Sequence, residues 1–365
     1  MKNLSKIFFN NFKKKIIITN FLIFFLMFIT ADFFYSNFFL SFKKETCYEI
    51  EKFFYRLKKN CIGFHKFKSS FPTVKVYTDD LGLRIGKNTK RGNLEKVFIF
   101  GDSFTFGVGL DQEKTIVGIL ENNLKDYDFY NFGVASYSPT IYLFNLEKQV
   151  SLNNLPKKII LLLDMTDIYD EAERWSLKED KPILSNSKHF DEFYKKKNFF
   201  HKNFTVTREV LHFINFKIRI LKSKVFDKNN YIKTSFQAGF TYRQIDELSD
   251  YYTPNNFDLG KKKIKEKINS ISKIAKNINS DFYLVIYPYA ETLIFGQSNF
   301  SWEDFAEEIC DNNSCMLINT FDIFKEYKNK KSNWYTDLYF VGDEHFNEGG
   351  NKILGSIIID KIFNK

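Results

Sequence analysis

Five short runs in this chain are apolar with almost no alternation: residues 96–100, 127–132, 158–163, 281–287 and 316–318. A strand with one wet face alternates polar and apolar residues. A run without a polar side must be covered on both faces, as in a parallel sheet. The intervening segments carry helical spacing, at 115–124, about 139–150, 259–278, 302–309 and 347–363. In 259–278, Ile264, Ile268, Ile271 and Ile274 share one face and lysines the other. Strands alternating with helices predict an α/β domain with a parallel sheet, right-handed crossovers and helices on both faces.

Ligands of such sheets bind beyond the carboxyl ends of the strands. Ser103, Gly133, Asp164 and Pro288 each follow a strand and are expected at one edge. The first strand breaks abruptly at Gly101-Asp102-Ser103, and helical spacing resumes at Thr115. A serine on a turn between strand and helix is held where a substrate reaches it. By itself Gly-Asp-Ser is an ordinary turn, and its meaning depends on what the chain brings to it.

A serine hydroxyl is a poor nucleophile without a base. The chain has five histidines, His65, His189, His201, His212 and His345. His345 lies in the polar loop Gly342-Asp343-Glu344-His345-Phe346-Asn347, just before the last helix. Asp343, two residues earlier, is spaced to orient the imidazole Nδ1 proton. The bland alternative is a solvated loop that caps the helix. The other four histidines have no comparable setting and read as surface or cap residues. For a developing oxyanion, the Ser103 N–H and the N–H of Gly133 are candidate donors.

Gly101-Asp102-Ser103, Gly133 after the next strand, and Asp343-x-His345 before the last helix resemble blocks I, II and V of the SGNH (GDSL-type) hydrolase superfamily. The order and placement match over roughly residues 77–365, apart from an insertion. The resemblance implies a three-layer α/β/α, flavodoxin-like fold and a Ser103–His345–Asp343 triad acting on an ester. It implies Gly133 as an oxyanion donor. One block departs: where the family has Gly-x-Asn-Asp, this chain reads Asp164-Met165-Thr166-Asp167. Thr166 stands in the place of the asparagine that completes the family's oxyanion hole. Its hydroxyl can donate but reaches less far than an amide. Leu81-Gly82-Leu83-Arg84 ahead of the strand also resembles membrane-anchored bacterial members, which often accompany cell-surface polysaccharide assembly.

The N-terminus bears on location. Lys2, Lys6 and Lys13 to Lys15 precede a mostly apolar run over 16–31, which gains membrane-spanning length if continued to residue 40. The small-x-small site of a cleaved signal is poor at Ile29-Thr30-Ala31-Asp32. A retained anchor is therefore expected, with residues 1–15 in the cytoplasm, 16–40 spanning the inner membrane and the remainder periplasmic. A cleaved signal is the alternative. Residues 41–94 read as a juxtamembrane and lead-in segment, with 45–57 a possible helix, and 95–365 as the hydrolase-type domain. The stretch 168–257 interrupts the alternation and is expected to cap the Ser103 edge, Trp175 among its aromatics. Cys47, Cys61, Cys310 and Cys315 permit two disulfides in three pairings. The net charge of +10 is spread along the chain without a nucleic-acid motif.

The expected activity is an extracytoplasmic serine esterase acting on an acylated carbohydrate or small ester, needing no metal or organic cofactor. A polysaccharide O-acetyltransferase and a weakly active glycan-binding protein are the alternatives.

Overall fold

The computed structural model of this 365-residue chain describes residues 2–39, 46–51, 54–67, 71–178, 181–184, 203–225, 254–297, 300–313 and 315–364. It divides into two units, residues 1–45 with 192–221 and residues 46–191 with 222–365.

In the larger unit, β1 (Tyr48–Glu51) and β2 (Phe54–Leu57) form a hairpin. β3 (Ile62–His65), β4 (Val74–Thr78) and β5 (Arg84–Ile85) form a small antiparallel sheet. The main sheet contains β6 (Glu95–Phe100), β7 (Tyr127–Asn131) and β8 (Lys158–Leu163). A second hairpin, β9 (Trp175–Lys178) with β10 (Lys181–Leu184), follows. β11 (Asp281–Ile286) and β12 (Met316–Asn319) complete the main sheet.

That sheet is parallel throughout, in the order β7-β6-β8-β11-β12. Counting its strands alone, the order is 2-1-3-4-5, the flavodoxin-like arrangement. Burial explains the sequence pattern: Val97 to Phe100, Ile159 to Leu163 and Leu284 to Ile286 are all shut off from solvent. The helix Pro254–Asn277 packs against both Pro139–Ser151 and Trp302–Asn313, and Ile116–Asn123 packs against Glu348–Ile358. The two groups flank the sheet as outer layers of an α/β/α sandwich. Ile264, Ile268 and Ile271 are the buried stripe of the long helix, and Lys262 and Lys273 face out. Ile286 lies opposite Leu163, so β8 and β11 end level, and Phe100 lies opposite Leu161, so β6 ends two residues earlier; in a parallel sheet the residues that follow share one edge.

The expected helix over 45–57 is instead the β1–β2 hairpin. Tyr55 and Leu57 alternate into the core, and the Cys47–Cys61 disulfide closes the strand pair at its base. The second disulfide joins Cys310 to Cys315. Trp175 is not a surface aromatic: it is fully buried against Phe54, Tyr55 and Tyr137 and donates through Nε1 to the Ser136 carbonyl at 2.7 Å. His65 also departs from expectation. It packs edge-on to Phe106 with ring centroids 4.9 Å apart, and its Nδ1 is buried. Burial, with the Arg84 charge nearby, lowers its pKa to about 4. His189 and His201 lie outside the described residues.

The smaller unit contains the helix Lys2–Phe34, continued by a π-helical turn over Tyr35–Phe39, and most of a second helix, Thr205–Val225. Residues Lys14–Phe38 are long and apolar enough to cross a membrane. Phe21, Phe24, Leu26 and Met27 are each more than half exposed, which suits a lipid-facing surface and not a protein core.

Candidate active site

The elbow is built by two short-range devices. Asp102 caps the one-turn helix Ser103–Phe106, its Oδ1 accepting from the Phe104 N–H at 2.9 Å. Gly107 then adopts φ +79° and ends the helix after that single turn. Ser103 thus sits at the first helical position, where backbone N–H groups have no intrahelical acceptor.

Buried Arg84 fixes the turn from behind. It donates to the carbonyls of Phe106 at 2.5 Å, Gly107 at 2.9 Å and Leu110 at 2.5 Å. This residue was visible in the sequence as part of Leu81-Gly82-Leu83-Arg84. Its role was not, because its partners are backbone carbonyls.

Ser103 Oγ lies 2.7 Å from His345 Nε2, and His345 Nδ1 lies 2.5 Å from Asp343 Oδ1. The same Asp343 oxygen accepts the His345 backbone N–H at 3.1 Å, so the loop's own geometry holds the carboxylate against the ring. All three residues are buried. Phe104 stacks on the imidazole at 4.7 Å, and Phe67 meets it edge-on at 4.9 Å. Asp343, Glu344 and His345 offer ligand atoms within 4.8 Å of one another. Both ring nitrogens of His345 are nevertheless engaged within the relay, which leaves none to a metal.

Ser103 Oγ has a second neighbour, Asp102 Oδ2, at 2.9 Å. One hydroxyl proton serves only one acceptor at a time. Burial, then the Asp164 charge, holds the Asp102 carboxyl well above the usual carboxylate range. That upward shift weakens Asp102 as an acceptor and leaves the serine proton to His345.

Gly133 abuts the elbow. A Cβ there would come within 2.5 Å of the Phe106 nitrogen and 2.7 Å of the Thr105 carbonyl carbon, so only glycine allows this approach. Its N–H donates to Asn131 Oδ1 at 2.9 Å, while Asn131 Nδ2 donates to the Thr105 carbonyl at 3.2 Å. Thr166 is likewise engaged: its N–H and hydroxyl both donate to Asp164 Oδ1, at 2.7 and 2.6 Å. Asp164 Oδ2 is buried without a hydrogen-bond partner among the described residues. Asp167 accepts from the Asp164 N–H at 2.9 Å and from Tyr142 at 3.3 Å, which anchors the loop after β8. Burial, followed by the neighbouring Asp164 and Asp102, pushes its carboxyl up as well.

A separate cavity of about 660 Å³ is lined by Phe132, Val134 and Tyr137, with Phe54, Leu57 and Lys148, and by none of the relay residues.

No family model matches the sequence, and no curated protein matches it. Among solved structures, a lipolytic G-D-S-L family protein from Veillonella parvula is 11% identical, with a TM-score of 0.39 over 74% of this chain and 99% of its own. An acetyl xylan esterase, AlAXEase, is 14% identical, with a TM-score of 0.40 over 73% and 100%. A catalytic mutant of an acetylxylan esterase from Geobacillus stearothermophilus is 12% identical, with a TM-score of 0.40 over 75% and 97%.

Proposed function

We propose that this chain is a membrane-anchored serine esterase of the SGNH type that acts on an acylated carbohydrate. The observation that carries the reading is the relay itself: Ser103 Oγ, both nitrogens of His345 and Asp343 form one continuous hydrogen-bonded chain. A buried carboxylate on Nδ1 fixes the tautomer in which Nε2 accepts a proton.

In the reaction, Ser103 Oγ attacks the acyl carbonyl carbon as Nε2 of His345 takes the serine proton. Asp343 stabilises the imidazolium. The tetrahedral oxyanion is met by the Ser103 N–H. The Gly133 N–H and the Thr166 hydroxyl join it by exchanging their bonds to Asn131 and Asp164. Collapse breaks the ester C–O bond, and the imidazolium returns the proton to the departing sugar hydroxyl. Water then attacks the acyl-enzyme, with His345 again as base.

One observation favours a second reading, transfer of the acyl group to a sugar hydroxyl. Ser103 and His345 are both buried, and Phe67 and Phe71 stand over the imidazole. A site poor in water favours an acceptor that brings its own binding energy.

The apolar helix and the disulfides support the location. With lysines preceding residues 14–38, the N-terminus stays in the cytoplasm and the sheet domain lies outside. The two disulfides suit an oxidising compartment. The insertion over 168–257 belongs to the transferase reading, as a cap over the Ser103 edge that binds polymer; its residues 185–202 and 226–253 lie outside the described residues. The test is hydrolysis of a small acetyl ester by the full chain. Wild-type turnover that disappears in Ser103→Ala supports the reading, and equal turnover in both proteins contradicts it. Acetylated glycan formed from an ester donor and a sugar acceptor selects the transferase.

A further inference from the structure

The helix Thr205–Val225 starts on the membrane-spanning helix. Asp32 Oδ1 accepts from the Val206 N–H at 2.9 Å, and Oδ2 from the Thr207 N–H and hydroxyl, each at 2.6 Å. Ser36 Oγ accepts from the Thr205 N–H at 2.8 Å and donates to Asp32 Oδ1 at 2.7 Å. The first three N–H groups of one helix are thus satisfied by two side chains of the other. Asp32 and Ser36 are both buried by this contact.

The position of Asp32 sets a depth. It lies eighteen residues beyond Lys14, where the apolar stretch begins. At about 1.5 Å per helical residue, that is roughly 27 Å, close to the ~30 Å thickness of the hydrocarbon layer. A carboxylate at that point is at the far interface and not in the apolar centre. The second helix therefore starts at interface level.

Its own surface fits that level. Val210, Leu211, Ile214 and Ile218 are 43–49% exposed. Their spacing of i, i+1, i+4 and i+8 makes one continuous apolar stripe within the helix Thr205–Val225. The sequence of this helix holds Arg208, Lys217, Arg219, Lys222 and Lys224 against the single acid Glu209. Five cations in 21 residues make it too costly as a second span but suit it to anionic head groups.

We propose that the helix Thr205–Val225 lies in the outer membrane–water interface, with its Val210–Leu211–Ile214–Ile218 stripe in the lipid, a placement that its excess of positive charge favours on an anionic surface. The occupant of the stripe is the bilayer surface, continuous with the lipid around the part of residues 14–38 that precedes Asp32. The proposal rests on the reading that those residues span the membrane. It gives the insertion a role apart from catalysis, as a second membrane contact.

The test uses the full chain in vesicles of phosphatidylcholine and phosphatidylglycerol. The native cysteines are held in disulfides, so an introduced cysteine takes an environment-sensitive fluorophore alone. The fluorophore is placed at Ile214→Cys, with Ile218→Cys as a second position on the same stripe. Phe24→Cys reports the anchor, and Asn122→Cys, exposed on the sheet domain, reports solvent. Nitroxide lipids labelled near the head group should quench the Ile214 and Ile218 probes about twofold more than lipids labelled at mid-chain. The Phe24 probe should show the reverse order, and the Asn122 probe neither. Stripe probes as unquenched as Asn122 overturn the proposal, as does stronger quenching from mid-chain. An unquenched Phe24 probe overturns the anchor, and the helix is then judged on the stripe probes alone.

Discussion

Ser103 Oγ stands 2.7 Å from His345 Nε2, although 242 residues separate them in the chain. The parallel sheet makes this meeting possible. It delivers the elbow after β6, while the loop ahead of the last helix brings His345 to the same edge. Geometry of this kind predicts strong dependence on each partner in the relay.

Asp343→Asn leaves the ring in place but favours the wrong tautomer. It should lower kcat on a small acetyl ester by ~10³–10⁴-fold with KM little changed, as loss of an orienting carboxylate does in serine hydrolases. Steady-state kinetics on protein of unchanged circular dichroism checks this. A loss confined to KM contradicts the assigned role.

Asp164 places a carboxylate beside the elbow and holds the Thr166 hydroxyl. Negative charge there opposes a developing oxyanion. Asp164→Asn removes the charge and puts an amide donor at the buried, unpartnered Oδ2 position or its twin. It should raise kcat at neutral pH by about tenfold. It should also bring the raised Asp102 carboxyl back toward its ordinary range, because Asp164 is the second cause of that shift after burial. Reduced kcat with unchanged thermal stability would count against this account.

Arg84→Met removes three buried hydrogen bonds, and of the three carbonyls only Gly107 keeps another donor, the Leu110 N–H. The expected cost is about 3 kcal/mol or more in denaturant unfolding. Unchanged stability would mean that the turn is held by its own caps.

His65 links pH to stability with a definite sign. Its folded pKa of about 4 lies below the ordinary 6.5, so the unfolded chain binds the extra proton between those values. The contribution of this residue is fully present above pH 6.5 and lost as pH falls toward 4. His65→Phe keeps an aromatic ring against Phe106 and should remove that part of the slope. Unfolding curves at pH 4, 5 and 7 measure it, and identical slopes in the two proteins would contradict the assignment.

Much of the fold was legible because burial on both faces leaves a plain mark: the five apolar runs became the five parallel strands. Thr115 marked a helix start because its side chain accepts from the Gly118 N–H. The β1–β2 hairpin was harder to read. Glu49, Glu51 and Lys52 resemble a helix surface, and the alternation of Tyr55 with Leu57 is too short to overrule them. At the site, Ser103, Asp343 and His345 could be named from spacing. The partners of Gly133 and Thr166 could not, since Asn131 and Asp164 meet them through local turn geometry. The cover over His345 was also hidden, because Phe67 and Phe71 are two among 44 phenylalanines.

The most direct test of the central claim is covalent labelling of the full chain by a fluorophosphonate, which reacts with a serine only when a base activates it. The account predicts one modified peptide, carrying the label on Ser103, and its loss in both Ser103→Ala and His345→Ala. Wild-type protein that stays unlabelled, or labelling that persists in His345→Ala, would contradict it.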